Sequence, residues 1–327
     1  MTIARKYLRL ARKENPEIRD ALVGWFHHLV SDVTEESRLK YLSCINQLLD
    51  YKAENGILLF SILELSRGPF LPDYFSYLKI KYGSKERQGR VTSSYYSSYS
   101  AVKNFLRFCE LKGFISSNNL HLISKPKRIE AVPTKGLTRR DSRRLFESLR
   151  DKYQKSVEAK HFSRRTHLMR LVLYLIFIDT GARKRSILNI RVKDVFRSDD
   201  HLSVELLDKG GKRKTIKLNT QTSKYLGLFI KAYRSVGKAE HYLFTQRNSK
   251  TPLGEEYIKN LLQRELKELG INEKITAHSL RVSAANCWNL PLRDISKRLG
   301  HASIMTTEKY LRDYDSVSDN ERIVELF

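Results

Sequence analysis

From Leu168 to Ile178 the chain passes through an almost wholly apolar stretch, interrupted only by Arg170. No other feature restricts the fold as much. Strands usually run ~5–6 residues, so a segment this long reads as a helix. A helix apolar on every side must be buried at the centre of a domain. Its longest unbroken part, Leu171 to Ile178, falls far short of the ~20 apolar residues that span a bilayer. The helix ends at Thr180-Gly-Ala-Arg183.

The surroundings of this helix are mixed. His201 to Asp208 alternates through Leu202, Val204 and Leu206, Lys209-Gly-Gly-Lys212 turns the chain, and Lys214 to Leu218 alternates back through Ile216. That pattern predicts a β-hairpin with a basic, glycine-rich tip. The tip lacks the GxxxxGK[ST] frame of a P-loop. Thr138-Arg-Arg-Asp141 offers a cap and first turn for a helix through Leu145, Phe146 and Leu149. Further helices are expected over 223–235, 254–269, 277–288 and 292–299.

The first ~115 residues read as helices only. Ile18, Leu22, Trp25, Phe26 and Leu29 recur at helical spacing, as do Leu39, Leu42, Ile45, Leu48 and Leu49. Phe70-Leu-Pro72 predicts a break, followed by a shorter helix through Tyr74, Tyr77, Leu78 and Ile80. A long helix from about Thr92 to Lys112 should stop at Gly113. Polar, Pro- and Gly-punctuated sequence then marks an interdomain linker. The expectation is a mainly α chain with a small β-sheet (α+β): a helical domain over 1–115, a linker over 116–136 and a mixed domain over 137–327.

Charge narrows the partners. Lys plus Arg number 61 against 36 Asp plus Glu, a formal charge of +25, with +9 on residues 1–136 and +16 on 137–327. Such a chain calls for a polyanion, with DNA or RNA leading. If DNA is the partner, both domains touch it, mostly through phosphate. A membrane surface finds no amphipathic anchor, and the N-terminus has no signal-peptide stretch, so a cytoplasmic location is expected. Cys44, Cys109 and Cys287 are odd in number and widely spaced, which fits buried free thiols in a reducing compartment.

Four short segments stand out: Thr180-Gly-Ala-Arg183, the hairpin tip at Lys209, His278-Ser-Leu-Arg281, and Leu299-Gly-His301 followed nine residues later by Tyr310. Taken singly, each has a bland explanation as a surface or turn residue. In this order and spacing the sequence resembles the tyrosine recombinase (phage integrase) family, in particular its simple bidomain Cre-like and Xer-like members. The stretch Ile190-Arg-Val-Lys-Asp194 adds to that likeness.

The resemblance implies a site-specific recombinase that cleaves and rejoins DNA through a 3′-phosphotyrosine on Tyr310, with no cofactor, ATP or metal. Arg183 and Arg281 would clamp the phosphate, a task that suits a planar, always-charged guanidinium. His278 would assist Tyr310, Lys209 would protonate the leaving 5′ oxygen, and His301 would donate to a nonbridging oxygen. The sequence leaves the acid open between Lys209 and Lys212. The N-terminal domain would be a SAM-like core-binding domain, with Lys103 and Arg107 as DNA-binding candidates. Implied partners are double-stranded DNA with inverted-repeat sites and a homo-tetramer linked by the tail from Leu311 to Phe327. One departure stands out. Where the family pattern TGxRxSE has an acidic residue, which orients neighbouring catalytic groups, this chain has Ser186. Competing readings are a type IB topoisomerase-like enzyme or telomere resolvase, and a DNA-binding regulator that has lost catalysis.

Overall fold

The computed structural model describes residues 14–58, 61–82, 93–123, 134–198, 200–208, 211–233, 239–246, 249–273, 275–301 and 303–311. The chain divides into two compact units, Met1–Ala131 and Val132–Phe327.

The described part of the first unit is helical: α1 (Pro16–Asp32), α2 (Glu35–Glu54), α3 (Ile62–Arg67), α4 (Phe70–Tyr82) and α5 (Ser93–Leu111). Side-chain caps fix the starts of the first three. Asn15 accepts from the Ile18 amide, Thr34 from Ser37 and Ser61 from Glu64. Trp25 is the centre of the core, fully buried, with its indole N–H donating to Asn104 at 2.7 Å. Pro72 does not break the chain. It sits in the first turn of α4, where its missing N–H costs nothing. Ile80 is 84% exposed, although its spacing suggested the apolar face. The segment after α5 stays on this unit as far as Ile123. Ile115 and Leu120 are buried in its core, the Asn119 amide donates to the Ser66 carbonyl at 3.0 Å, and Arg67 donates to Ser116 and Ser117.

The second unit is built round the apolar helix. It contains α6 (Arg139–Glu158), α7 (Arg164–Thr180), α8 (Lys184–Leu188), α9 (Thr220–Tyr233), α10 (Glu255–Glu268), α11 (Ala277–Cys287), α12 (Leu292–Leu299) and α13 (Ile304–Leu311). From Leu168 to Thr180 every residue of α7 except Arg170 is buried. It packs against α6, α9 and α11. The expected hairpin is present as β2 (His201–Leu207) and β3 (Arg213–Lys217). Val204 pairs with Ile216, and both point into the core. A third strand, β1 (Val195–Ser198), joins β2 antiparallel with Val195 opposite Val204. Cys44 and Cys109 are buried free thiols, and Cys287 is half-buried against the second core. The tail beyond Leu311 lies outside the described residues.

Candidate active site

Two helix ends create the site. The α7 helix closes at Gly181, which has φ +56 and bonds back to the Phe177 carbonyl at 2.9 Å. A Cβ there would stand 2.6 Å from the Trp288 ring and 2.9 Å from Leu299, so only glycine lets α7, α11 and α12 meet this closely. Backbone beyond it is extended at Arg183, which opens α8. The second end is Gly300, with φ +69. Its amide reaches the Lys297 carbonyl at 3.1 Å, and the His301 amide reaches Ser296 at 3.0 Å. These two bonds form a Schellman closure, and they fix where His301 leaves the helix.

Arg281 joins the two ends. It is only 3% exposed. Nη1 donates to the Gly181 carbonyl at 2.8 Å and Nη2 to the Leu299 carbonyl at 2.5 Å. The guanidinium thus satisfies the C-terminal carbonyls of both helices, where positive charge is favoured. It comes from α11, whose start is set by a reciprocal cap between Thr276 and Ser279. His278, one turn before Arg281, stands at the solvent edge.

Arg183 is held differently. Its side chain is 41% exposed, and Nη1 pairs with Oδ1 of Asp208 at the end of β2. Lys214 on β3 ties the hairpin down. Its ammonium donates to the Lys297 carbonyl at 3.1 Å and the Arg298 carbonyl at 2.5 Å, capping α12. Arg298 in turn donates to the Asp179 carbonyl at 2.8 Å and lies 4.7 Å over the Trp288 ring.

The site is electropositive, and its histidines respond. Partial burial, then the charges of Arg281, Arg183 and Lys184, lowers the pKa of His278. Burial, then Arg281, Arg183 and His278, lowers that of His301 to about 4. Both rings are therefore neutral at pH 7. The buried Thr307 hydroxyl lies 2.8 Å from His301 Nδ1. A hydroxyl donating there leaves the ring proton on Nε2, which makes that nitrogen the donor of the ring. Burial, then Arg298, also lowers the pKa of Lys214.

Of the six expected catalytic residues, Arg183, His278, Arg281 and His301 come together. The backbone of Tyr310 belongs to α13, one turn beyond Thr307. The side chain of Tyr310, and Lys209 altogether, lie outside the described residues. Lys212 is exposed at the base of the hairpin tip, its carbonyl accepting from the Asp208 amide at 2.7 Å. Lys103 and Arg107 are exposed one turn apart on α5 of the first unit. Tyr95 and Tyr99 at the start of α5 pack edge-on to Phe75, and burial raises the pKa of Tyr95 to about 12.

Sequence reasoning missed Asp208, Lys214 and Thr307. Two of them carried a signal. Asp208 is an acidic residue placed directly before a basic tip, and Thr307 precedes Tyr310 by three residues and so shares its helix face. Lys214 has no such mark, because only the fold brings β3 to the end of α12.

The sequence model of the phage integrase family matches residues 151–316. A tyrosine recombinase XerC of Caldanaerobacter subterraneus subsp. tengcongensis is 25% identical over 260 residues, covering 78% of this chain and 68% of that protein. A tyrosine recombinase of Pseudothermotoga lettingae is 24% identical over 290 residues, covering 88% and 90%. A fragment of lambda integrase, solved as a dimer on a core site, superposes with TM-score 0.63 at 17% identity over 93% of this chain and 99% of that one. The XerH site-specific recombinase, solved on a palindromic difH substrate, gives 0.62 at 15% identity over 96% and 92%. At these identities the structural likeness establishes a shared fold. Among the described residues no helix is long and apolar enough to cross a membrane.

Proposed function

The chain belongs to the phage integrase family, and from that membership we infer that it is a site-specific DNA recombinase that breaks and rejoins strands through a tyrosine. The observation that carries the reading is the convergence of Arg183, His278, Arg281 and His301, drawn from three separate stretches of sequence, on the two helix ends that Arg281 joins.

In this reading the phenolic oxygen of Tyr310 attacks the scissile phosphorus. A phosphotyrosine bond forms and the bond to the 5′ oxygen breaks. Neutral His278 takes the phenolic proton, which an ordinary phenol of pKa about 10 holds at neutral pH. Lys209 gives a proton to the departing 5′ oxygen. The guanidinium groups of Arg183 and Arg281 hold the nonbridging oxygens as charge builds on them. His301 donates to the same oxygens from Nε2. The products are a 3′-phosphotyrosine and a 5′-hydroxyl, and attack by another strand's 5′-hydroxyl reverses the step. Bond energy is conserved in the phosphotyrosine, so the exchange needs neither ATP nor metal.

The same reading makes residues 1–115 a core-binding DNA-binding domain, with Lys103 and Arg107 on phosphate, and 137–327 the catalytic domain; of the linker expected over 116–136, residues 116–123 pack on the first domain. The substrate is double-stranded DNA with inverted-repeat sites, and the working form is a homo-tetramer linked by the tail after Leu311. The formal charge of +25 supports a DNA partner, and the protein would act in the cytoplasm.

The test is covalent trapping. DNA selected from a random pool by the protein is nicked near the cleavage point and incubated with wild type and with Tyr310→Phe. A protein–DNA adduct on a denaturing gel that disappears with Tyr310→Phe is the expected result. Tight binding with no adduct would move the chain to the non-catalytic class.

A further inference from the structure

The family's acidic residue after the first arginine is missing here, because Ser186 occupies its place. Ser186 is a buried position on α8 with no charge to offer Arg183. The structure supplies a carboxylate from another element. Asp208, at the end of β2, pairs with Arg183 Nη1, and its Oδ2 lies 3.5 Å from where a Cβ on Gly300 would stand, beside His301. We propose that Asp208 is a positioning residue of the cleavage site: it takes over from the helix the task of orienting Arg183, and ties Arg183 to the hairpin that carries Lys209. The proposal rests on the strand-cleaving reading above.

Three features of the geometry carry it. First, Asp208 sits at the base of the tip, held there by its backbone. Its amide donates to the Lys212 carbonyl at 2.7 Å and its carbonyl accepts from Gly211 at 3.2 Å. A side chain anchored there relates Arg183 to the register of the hairpin. Second, the pair uses Nη1. A guanidinium has five N–H donors in a planar fork, so the donors on Nε and Nη2 can face a phosphate while the carboxylate holds the plane. Third, Asp208 is a negative group among Arg183, Lys214 and Arg281, and it is one of the charges felt by Lys214. An acidic residue at the point where DNA phosphate must approach weakens binding. Its presence there is accounted for by orientation of Arg183, which a phosphate-binding surface alone does not require.

A plain counter-ion would behave differently. It would screen Arg183 until DNA arrived, and its removal would strengthen both binding and cleavage. A positioning group instead splits the two. With the selected, nicked duplex as probe, Asp208→Asn should bind as tightly as wild type or more tightly, because a negative charge is gone. Its single-turnover rate of adduct formation should fall about 10–100-fold, as expected when a transition-state donor is misplaced by an ångström or less. Asp208→Glu, which keeps the charge, should recover most of that rate. In an Arg183→Lys background, Asp208→Asn should cost no more than about a further threefold, since residues acting through one another are not additive. Asp208→Asn is isosteric and sits at a partly exposed strand end, and its melting temperature is measured alongside. Equal or faster cleavage by Asp208→Asn overturns the proposal, as does a full additional loss in the Arg183→Lys background. No adduct from wild type sinks the strand-cleaving reading and this proposal with it. An adduct from wild type matched by Asp208→Asn sinks this proposal alone.

Discussion

Two arginines of one site are held in opposite ways. Arg281 is sealed into the floor, 3% exposed, with both terminal nitrogens on backbone carbonyls of helices that end there. Arg183 stands on the rim, 41% exposed, held by one carboxylate from a hairpin. The floor is thus part of the fold, and the rim is held from the hairpin through a single ion pair. Removing a floor group should damage structure and chemistry together. Removing a rim group should damage chemistry alone.

Arg281→Ala is the most severe way to break that contrast. It strips the Gly181 and Leu299 carbonyls of their partner in the interior, and each such buried acceptor costs ~1–3 kcal/mol. We expect a loss of about 2–5 kcal/mol in urea denaturation, with adduct formation abolished. Arg183→Ala should shift stability by less than about 1 kcal/mol, because a half-exposed ion pair contributes little. Its adduct formation should nevertheless fall ~10²–10³-fold, the usual cost of losing a preorganised donor. Equal destabilisation by the two substitutions would erase the distinction between floor and rim.

A pH series sharpens it. The folded-state pKa of His301 is lowered to about 4, below the ordinary ~6.5 of an unfolded histidine. Between those values the unfolded chain binds more protons than the folded one, so stability rises with pH through that window and is lost as pH falls through it. His278, lowered for the same reasons, adds to the slope. Melting temperatures of the free protein should decline from pH 6.5 toward 4, and His301→Gln should flatten the decline. A slope unchanged by His301→Gln would remove His301 from the positive floor. The smallest effects belong to the first unit. Lys103→Ala and Arg107→Ala should leave melting unchanged and reduce the salt dependence of DNA affinity by a slope of ~0.9 each if each meets one phosphate.

How much of this was legible in sequence follows the same divide. The α7 helix was plain from Leu168–Ile178, because burial on all sides leaves a pattern that one element carries alone. The hairpin was plain from Val204, Leu206 and Ile216. By contrast, β1 was not read, since Val195–Ser198 is only four residues and has no alternation to show. Pro72 misled because a proline tolerated in a first turn looks the same as one that breaks a helix. In the candidate site, Arg183, His278, Arg281 and His301 were picked out by the family resemblance that their order and spacing carry. Their physical roles in the fold were not, because the Arg281 acceptors are backbone carbonyls 100 and 18 residues away, and carbonyls have no sequence signature. Asp208 and Thr307 lay in view but acquire meaning only through Arg183 and His301.

On this reading Tyr310 forms the covalent bond to DNA. The most direct measurement is to trap the adduct on nicked DNA, digest both protein and nucleic acid, and locate the nucleotide by mass spectrometry. A 3′-phosphonucleotide is expected on the peptide that contains Tyr310 and on no other. A nucleotide on a different residue, or strand cleavage with no nucleotide on the protein, would contradict that reading.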